Sequence, residues 1–325
     1  MRITNLAVLL TDKCNAACKM CCFSCSPRGQ QVLDKETVFS YIQQASEIET
    51  VKNISFSGGE AIIYYDLLKE CMEYALSFGL YSTLVTNGFW AADIDKGYKQ
   101  IAGLVRCGLR QMSISVDKFH QEFVSVHTVN NAMTIAQSLN IMSAITMADL
   151  KDSENSMQAM SQLRPNIYNK DLIIYPVFPA GAATEHILED KLIKVASKYE
   201  QKCNFDHAIT LLFDGTILMC CSQFSKNIPI THLGRVGETT LKEAISNISS
   251  NDFTYVLLKK GFNWFVDLVE NTLKKPLEDK YSVSCHLCHT LFSDAKLVEM
   301  ITPYVKKEAN NLRTRSLLGI QPKTI

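Results

Sequence analysis

The chain has 325 residues, of which 47% are hydrophobic and 20% charged, enough for a large packed domain and too apolar for wholesale disorder. Thirty-three basic residues balance thirty-three acidic ones, which argues against nucleic acid or an acidic membrane held by bulk charge. Apolar runs such as 172–178 and 6–10 are too short to span a bilayer or to form a signal-peptide core, so a cytoplasmic protein is expected.

In chain order, residues 6–10 read as a strand, and Asp34 caps a helix running to about Glu49. Strands are then predicted at 53–56, 82–85, 111–116, 141–147 and 172–177. Helices alternate with them at 67–78, 94–105, 129–139 and 153–163, and a helix over 187–199 leads out of the series. Six βα units imply a parallel sheet rolled into an open, partial (β/α)6 barrel. The pattern then changes. Residues 208–213 and 216–219 flank Asp214-Gly215, a strong hairpin signal. Helices follow near 240–248, 253–259 and 263–273, and an amphipathic one near 295–308. The expected fold class is therefore α/β, a partial barrel over 1–185 followed by a small α+β module over 186–325.

Twelve cysteines are many for a reducing compartment, where a disulfide framework is not expected. Five lie between residues 14 and 25, three between 203 and 221, and two at 285 and 288. Cys71 and Cys107 stand alone in helical segments and read as ordinary buried thiols. Cys14, Cys18 and Cys21 have the spacing C-x3-C-x2-C. Three thiolates from one loop can hold a four-iron cubane and leave one iron open to chelate the amino and carboxylate groups of S-adenosylmethionine (SAM), whereas electron-transfer clusters usually take four cysteines. A zinc site is the alternative, because Cys22 and Cys25 could supply a fourth thiolate.

Context favours the cluster. The cysteine loop follows the first strand, Ser57-Gly58-Gly59-Glu60 the second and Thr86-Asn87-Gly88 the third, while Ser115 and Asp117 end the fourth. All sit at the carboxyl ends of parallel strands, where such sheets build active sites. Over residues 5–180 the sequence resembles the radical SAM superfamily. The resemblance implies that Cys14, Cys18 and Cys21 hold a [4Fe–4S] cluster. It implies too that Ser57, Gly58, Gly59, Glu60, Asn87, Ser115 and Asp117 contact SAM, and that the backbone of Met20 reaches the adenine.

Cys203 precedes the hairpin, Cys220 closes it, and Cys285 and Cys288 form a C-x2-C pair. Four thiolates from two separated elements make a closed site, which zinc or iron–sulfur would satisfy equally on spacing alone. The arrangement resembles the short auxiliary-cluster module called twitch, which implies a second [4Fe–4S] cluster. Cys221 adjoins Cys220, and neighbours in an extended segment point to opposite sides. Cys221 therefore faces away from the auxiliary site, toward the barrel mouth.

Several stretches together, among them Cys220-Cys221-Ser222, Gly261 to Phe265 and Asp117 to His120, resemble radical SAM epimerases that convert L-residues to D-residues in ribosomally made peptides. That resemblance implies a precursor peptide as partner, an electron donor such as flavodoxin or ferredoxin, and Cys221 as hydrogen donor to a Cα radical. An aspartate near the first auxiliary cysteine is implied as well. Asp206 is the candidate and His207 its rival. Two other readings stay open: a radical SAM enzyme that cross-links peptides, and a zinc-binding protein with no chemistry.

Overall fold

The computed structural model describes residues 2–151, 155–163, 171–203, 205, 207–222 and 224–318. Asp206 lies outside the described residues. The first part alternates β1 (Asn5–Leu9), α1 (Lys35–Ser46), β2 (Asn53–Ser57), α2 (Tyr65–Ser77), β3 (Tyr81–Thr86), α3 (Ile94–Arg106) and β4 (Leu109–Ser115). It continues with α4 (Lys118–Gln121), α5 (Val126–Ser138), β5 (Met142–Asp149), α6 (Asn155–Ser161) and β6 (Asp171–Pro176). All neighbouring pairs from β1 to β6 are parallel. The expected partial barrel is thus present. Caps behave as the sequence suggests: Asp34 accepts from the Thr37 amide at 2.8 Å at the start of α1, an interaction worth about 1 kcal/mol.

The pleat divides the strand residues between two environments. Leu6, Val8, Ile54, Phe56, Leu84, Met112 and Ile114 are buried beneath the helices. The alternate positions face inward and mix polar with apolar residues: Asn5, Ser55 and Ser57 line the cavity beside Ala7, Leu9 and Val85. Asn5 accepts from Asn53 Nδ2 at 2.6 Å and from Ser55 Oγ at 3.0 Å, and Thr83 Oγ1 donates to Ser55 Oγ at 2.8 Å. The barrel interior is therefore a cavity in which polar groups are set among apolar ones, whereas strands buried by apolar residues on both faces read as continuous hydrophobic runs.

The chain goes on through α7 (Ala183–His186), β7 (Ala196–Ser197), β8 (Ala208–Leu211), β9 (Thr216–Leu218) and β10 (His232–Arg235). Then come α8 (Leu241–Ser250), α9 (Asp252–Asp267, kinked at Gly261), β11 (Lys280–Tyr281), α10 (Ser284–Phe292) and α11 (Ala295–Leu317). The expected hairpin forms as β8 and β9. Its β8 also pairs in parallel with β1, so residues 208–235 extend the barrel sheet to nine strands in the order β10-β9-β8-β1-β2-β3-β4-β5-β6. A second core lies beyond it, around Phe224, Phe262, Phe265, Leu287, Phe292 and Ile301.

The helix expected over 187–199 is absent. Residues 183–186 make a single turn, and the rest is tied laterally by β7 pairing with β11. Lys194 bridges Glu189 and Glu278 at 2.8 and 2.6 Å, and Lys198, largely buried, pairs with Glu270 at 2.7 Å. Leu188 and Val195, which helical periodicity would bury, are 70% and 66% exposed. Tertiary ion pairs and strand pairing outweigh a weak helical pattern here.

Candidate active site

Strand register sets the level of the site. Leu9 pairs with Ser57, Phe56 with Leu84, Thr86 with Ile114, Ser115 with Thr146, and Asp149 with Pro176. The loops that follow therefore leave the sheet at one rim. The loop after β1 carries the first cysteine group and is held from three sides. Cys14 donates its amide to the Ser26 carbonyl at 3.0 Å, closing the loop on itself. Gly59 donates to the Thr11 carbonyl at 2.6 Å and Glu60 to Lys13 at 2.9 Å. A Cβ on Gly59 would lie 2.3 Å from the Lys13 carbonyl oxygen, so the glycine pair is bare because backbone packs on backbone there.

The third support comes from the loop after β6. Gly181 has φ +58°, and a Cβ there would meet the Cys22 carbonyl oxygen at 2.4 Å, while Ala182 donates to the Cys21 carbonyl at 2.9 Å. Gly181→Ala combines a left-handed backbone with a clash against the cysteine loop, so it should cost about 1–3 kcal/mol. The measurable result is a lower melting temperature of the metal-free protein and less iron taken up on anaerobic reconstitution. Unchanged iron uptake would show that the loop after β6 does not position the cysteines.

Cys14, Cys18, Cys21, Cys22 and Cys25 all line one cavity of about 420 Å³ inside the barrel, together with Met20, Ser57, Gly58, Gly59, Asn87 and Ser115. Burial pushes the Cys14 thiol up to about 11 and Cys18 higher still. The Cys25 thiol donates to the Cys21 sulfur and, against the opposing effect of burial, holds Cys21 down at about 6. A set of soft sulfur donors facing one cavity fits an iron–sulfur cluster, and loading it must expel the thiol protons. Asn87 Nδ2 lies 3.8 Å from Cys14 Sγ and donates to Asn15 Oδ1 at 2.8 Å, so it touches the loop as well as the cavity.

Two of the acidic candidates sit behind the wall. Glu60 is buried; its carboxylate accepts from Thr86 Oγ1 at 3.0 and 2.9 Å and from the Asn87 amide at 2.8 Å. Burial raises it to about 7. Asp117 is also buried and accepts from the amides of Phe119, His120 and Ala148 at 3.0, 3.0 and 3.1 Å. His120 Nδ1 lies 2.9 Å from both Asp117 oxygens, and His120 itself lines the cavity. Burial would raise Asp117 and lower His120, but their mutual attraction wins for both and favours the charged pair. Glu60 orders the β3 loop and Asp117 presents His120, so His120 is the charged side chain at the wall. Composition and spacing had assigned no role to it. Its signal was its place three residues after Asp117, one helical turn. Tyr175 and Phe178, stacked at 5.4 Å, form an aromatic wall that was likewise missed.

A second cavity of about 410 Å³ is lined by Cys203, Cys220, Cys285 and Cys288, with Phe205, Met219 and Phe262. Burial raises the Cys288 thiol well above its ordinary value, and the nearby Cys220, Cys203 and Cys285 sulfurs push the same way. Cys285 and Cys288 are one turn apart on α10; Cys203 precedes β8 and Cys220 follows β9. Among the described residues no three metal-binding side chains converge on a single-ion site. Among the described residues, Cys221 is the only cysteine that lines both cavities. His207 hydrogen-bonds through Nδ1 to the Arg2 carbonyl at 2.7 Å.

Residues 8–160 match the model of the Radical SAM superfamily. Over those residues the chain is similar to that superfamily, and the match includes the loop that carries the first cysteine group. A Bacillus subtilis (strain 168) protein named for peptide biosynthesis, YydG, is 27% identical over 312 residues, covering 94% of this chain and 97% of that one. A GTP 3′,8-cyclase of Paenarthrobacter nicotinovorans is 30% identical over 132 residues, 37% of this chain and 34% of the cyclase. Among solved structures, anSMEcpe with bound AdoMet and a peptide superposes with a TM-score of 0.57 at 15% identity, over 95% of this chain and 99% of that one. BtrN with AdoMet gives 0.51 at 15% identity, over 83% and 93%. These likenesses establish the partial (β/α) barrel fold. Among the described residues, no helix is long and apolar enough to cross a membrane.

Proposed function

We propose that this chain is a radical SAM enzyme that converts L-residues to D-residues in a ribosomally made peptide, with Cys221 as the hydrogen donor. The observation that carries the reading is the position of Cys221. Its side chain lines the barrel cavity and the four-cysteine cavity together, and it is exposed. Similarity to YydG along nearly the whole chain supports a peptide as the substrate.

When bound, the cluster and SAM supply a 5′-deoxyadenosyl radical able to take a hydrogen atom from a peptide Cα. The chain's own residues do the rest. Cys14, Cys18 and Cys21 anchor the cluster. Ser57, Gly58, Gly59, Asn87, Ser115 and the Met20 backbone line the space for SAM. His120, held by Asp117, offers a charge-assisted donor to a carboxylate there. The planar Cα radical carries no handedness. Cys221 breaks its S–H bond and delivers that hydrogen to the face opposite the one that lost it. The sulfur returns to a thiol with one electron and one proton, the electron drawn from a flavodoxin- or ferredoxin-type donor.

Cys203, Cys220, Cys285 and Cys288 are assigned to a second [4Fe–4S] cluster beside Cys221. Replacing Cys220, Cys285 or Cys288 by alanine should lower iron from about eight to about four per chain and loosen the second core, because a closed site couples metal binding to folding. Iron analysis and thermal melting of anaerobically prepared protein check this. Zinc with little iron in the unmutated protein would favour a structural metal instead. The test of the reaction is incubation with peptides encoded beside the gene, followed by chiral amino-acid analysis. D-residues with unchanged mass in ordinary water support epimerisation. Loss of two hydrogens without D-residues supports cross-linking.

A further inference from the structure

The nine-stranded sheet has two edges, and they differ. The β10 edge is four residues long, bulged between His232 and Gly234, and covered by α8, whose Asn247 donates to the Leu233 carbonyl at 2.9 Å. Shortness, a bulge and a covering helix are ordinary ways of blunting an edge. The β6 edge lacks all three among the described residues. It carries Leu172, Ile173 and Ile174 in a row, 39%, 50% and 49% exposed. Successive side chains alternate between faces, so this edge is apolar and open on both. Among the described residues β6 pairs only with β5.

The ladder shows which backbone groups point outward. Val177 donates to the Asp149 carbonyl at 2.9 Å, so Val177 faces β5, and with the strand's period of two so do Tyr175 and Ile173. Leu172, Ile174 and Pro176 therefore turn their backbone groups away from β5. Pro176 has no amide hydrogen, which suits an outward position on an edge strand. The outward row offers the amides of Leu172 and Ile174 and the carbonyls of Leu172, Ile174 and Pro176.

We propose that the β6 edge binds an extended segment of the peptide substrate as an added strand and leads it into the reaction cavity. The proposal rests on the peptide-modifying reading above. Its occupant follows from continuity. The same strand and its exit supply Tyr175, Val177 and Phe178 to the cavity wall shared by the first cysteine group and Cys221. From Ile174 to Phe178 is four steps of extended chain, roughly 13 Å, so a segment paired at Ile174 reaches the cavity within a few residues. Main-chain pairing holds a peptide whatever its sequence, while Leu172 and Ile174 supply apolar subsites on the outer face.

Ile174→Pro is the direct test. It removes one outward amide and spares the bonds to β5. Using the peptide that proves to be modified, the substitution should weaken binding about tenfold or more, the range expected for lost main-chain bonds and a displaced strand. SAM cleavage without peptide and the melting temperature should stay near the unmutated values. A second arm needs no variant. Single backbone N-methyl groups, placed along the peptide away from the reacting residue, should weaken binding at alternate positions. Unchanged affinity in a folded Ile174→Pro protein overturns the proposal, as does an N-methyl scan with no period of two. A dimer that becomes monomeric in Ile174→Pro with peptide affinity intact overturns it in favour of a second copy of this chain. Sensitive binding with a cross-linked product keeps the edge proposal and removes the epimerase reading.

Discussion

Replacing Cys14, Cys18 or Cys21 by alanine should reduce 5′-deoxyadenosine formation to background. Each thiol lines the barrel cavity and comes from one loop on which the backbone packs closely at Gly59 and Gly181. Loss of even an outer partner of a metal ligand costs about 10–100-fold in affinity or activity, and loss of the ligand itself should cost more. Cys22 and Cys25 line the same cavity, which gives the experiment a sharp alternative. If one of them can substitute, a single variant keeps partial iron and partial cleavage while the other two lose both. The barrel itself should persist, because the ligands stand on a loop and the core beneath is made by Leu6, Val8, Phe56 and Ile114. Iron content, the cluster's electron paramagnetic resonance signal and 5′-deoxyadenosine by chromatography are the readouts. Full cleavage in all three variants would sink the assignment of this loop to the cluster.

The Cys221→Ala variant should separate radical formation from its outcome. Cys221 is not among the four cysteines assigned to the second cluster, and the first cysteine group lies on another element. SAM cleavage and Cα hydrogen abstraction should continue. D-residue formation should fall to background, since among the described residues no other thiol lines both cavities. In deuterium oxide the unmutated protein should place one deuterium at each inverted Cα, because a thiol exchanges with solvent. The variant's peptide radical should persist or decay to side products, which spectroscopy of frozen samples can follow. Cys221→Ser is the useful companion, because it preserves size and polarity while replacing the weak S–H bond by a strong O–H bond. D-residues formed at the ordinary rate by either variant remove Cys221 as donor.

Much of this protein was legible from the sequence. Period-two and helical patterns between turn residues located every barrel strand within a few residues, because the helix-facing positions Leu6, Ile54, Leu84 and Ile114 are apolar and bury locally decided faces. The hairpin at Asp214-Gly215 and the two cysteine groups were visible for the same reason, since turn chemistry and ligand spacing are short-range. The sequence could not say which strand the hairpin would join, and β8 pairs with β1 across about two hundred residues of chain. The mistaken helix over 187–199 is the converse case: Lys194 and Lys198 found partners near residues 270–279, and no local pattern records such partners. Roles within the site divide in the same way. Residue type marked Glu60 and Asp117 as candidates, but only the packing shows them buried behind the wall, with His120 brought forward by Asp117. The same holds for Cys221. Its neighbour Cys220 suggested that it points the other way, yet only the tertiary structure, by setting the β9 exit between two cavities, decided what it faces.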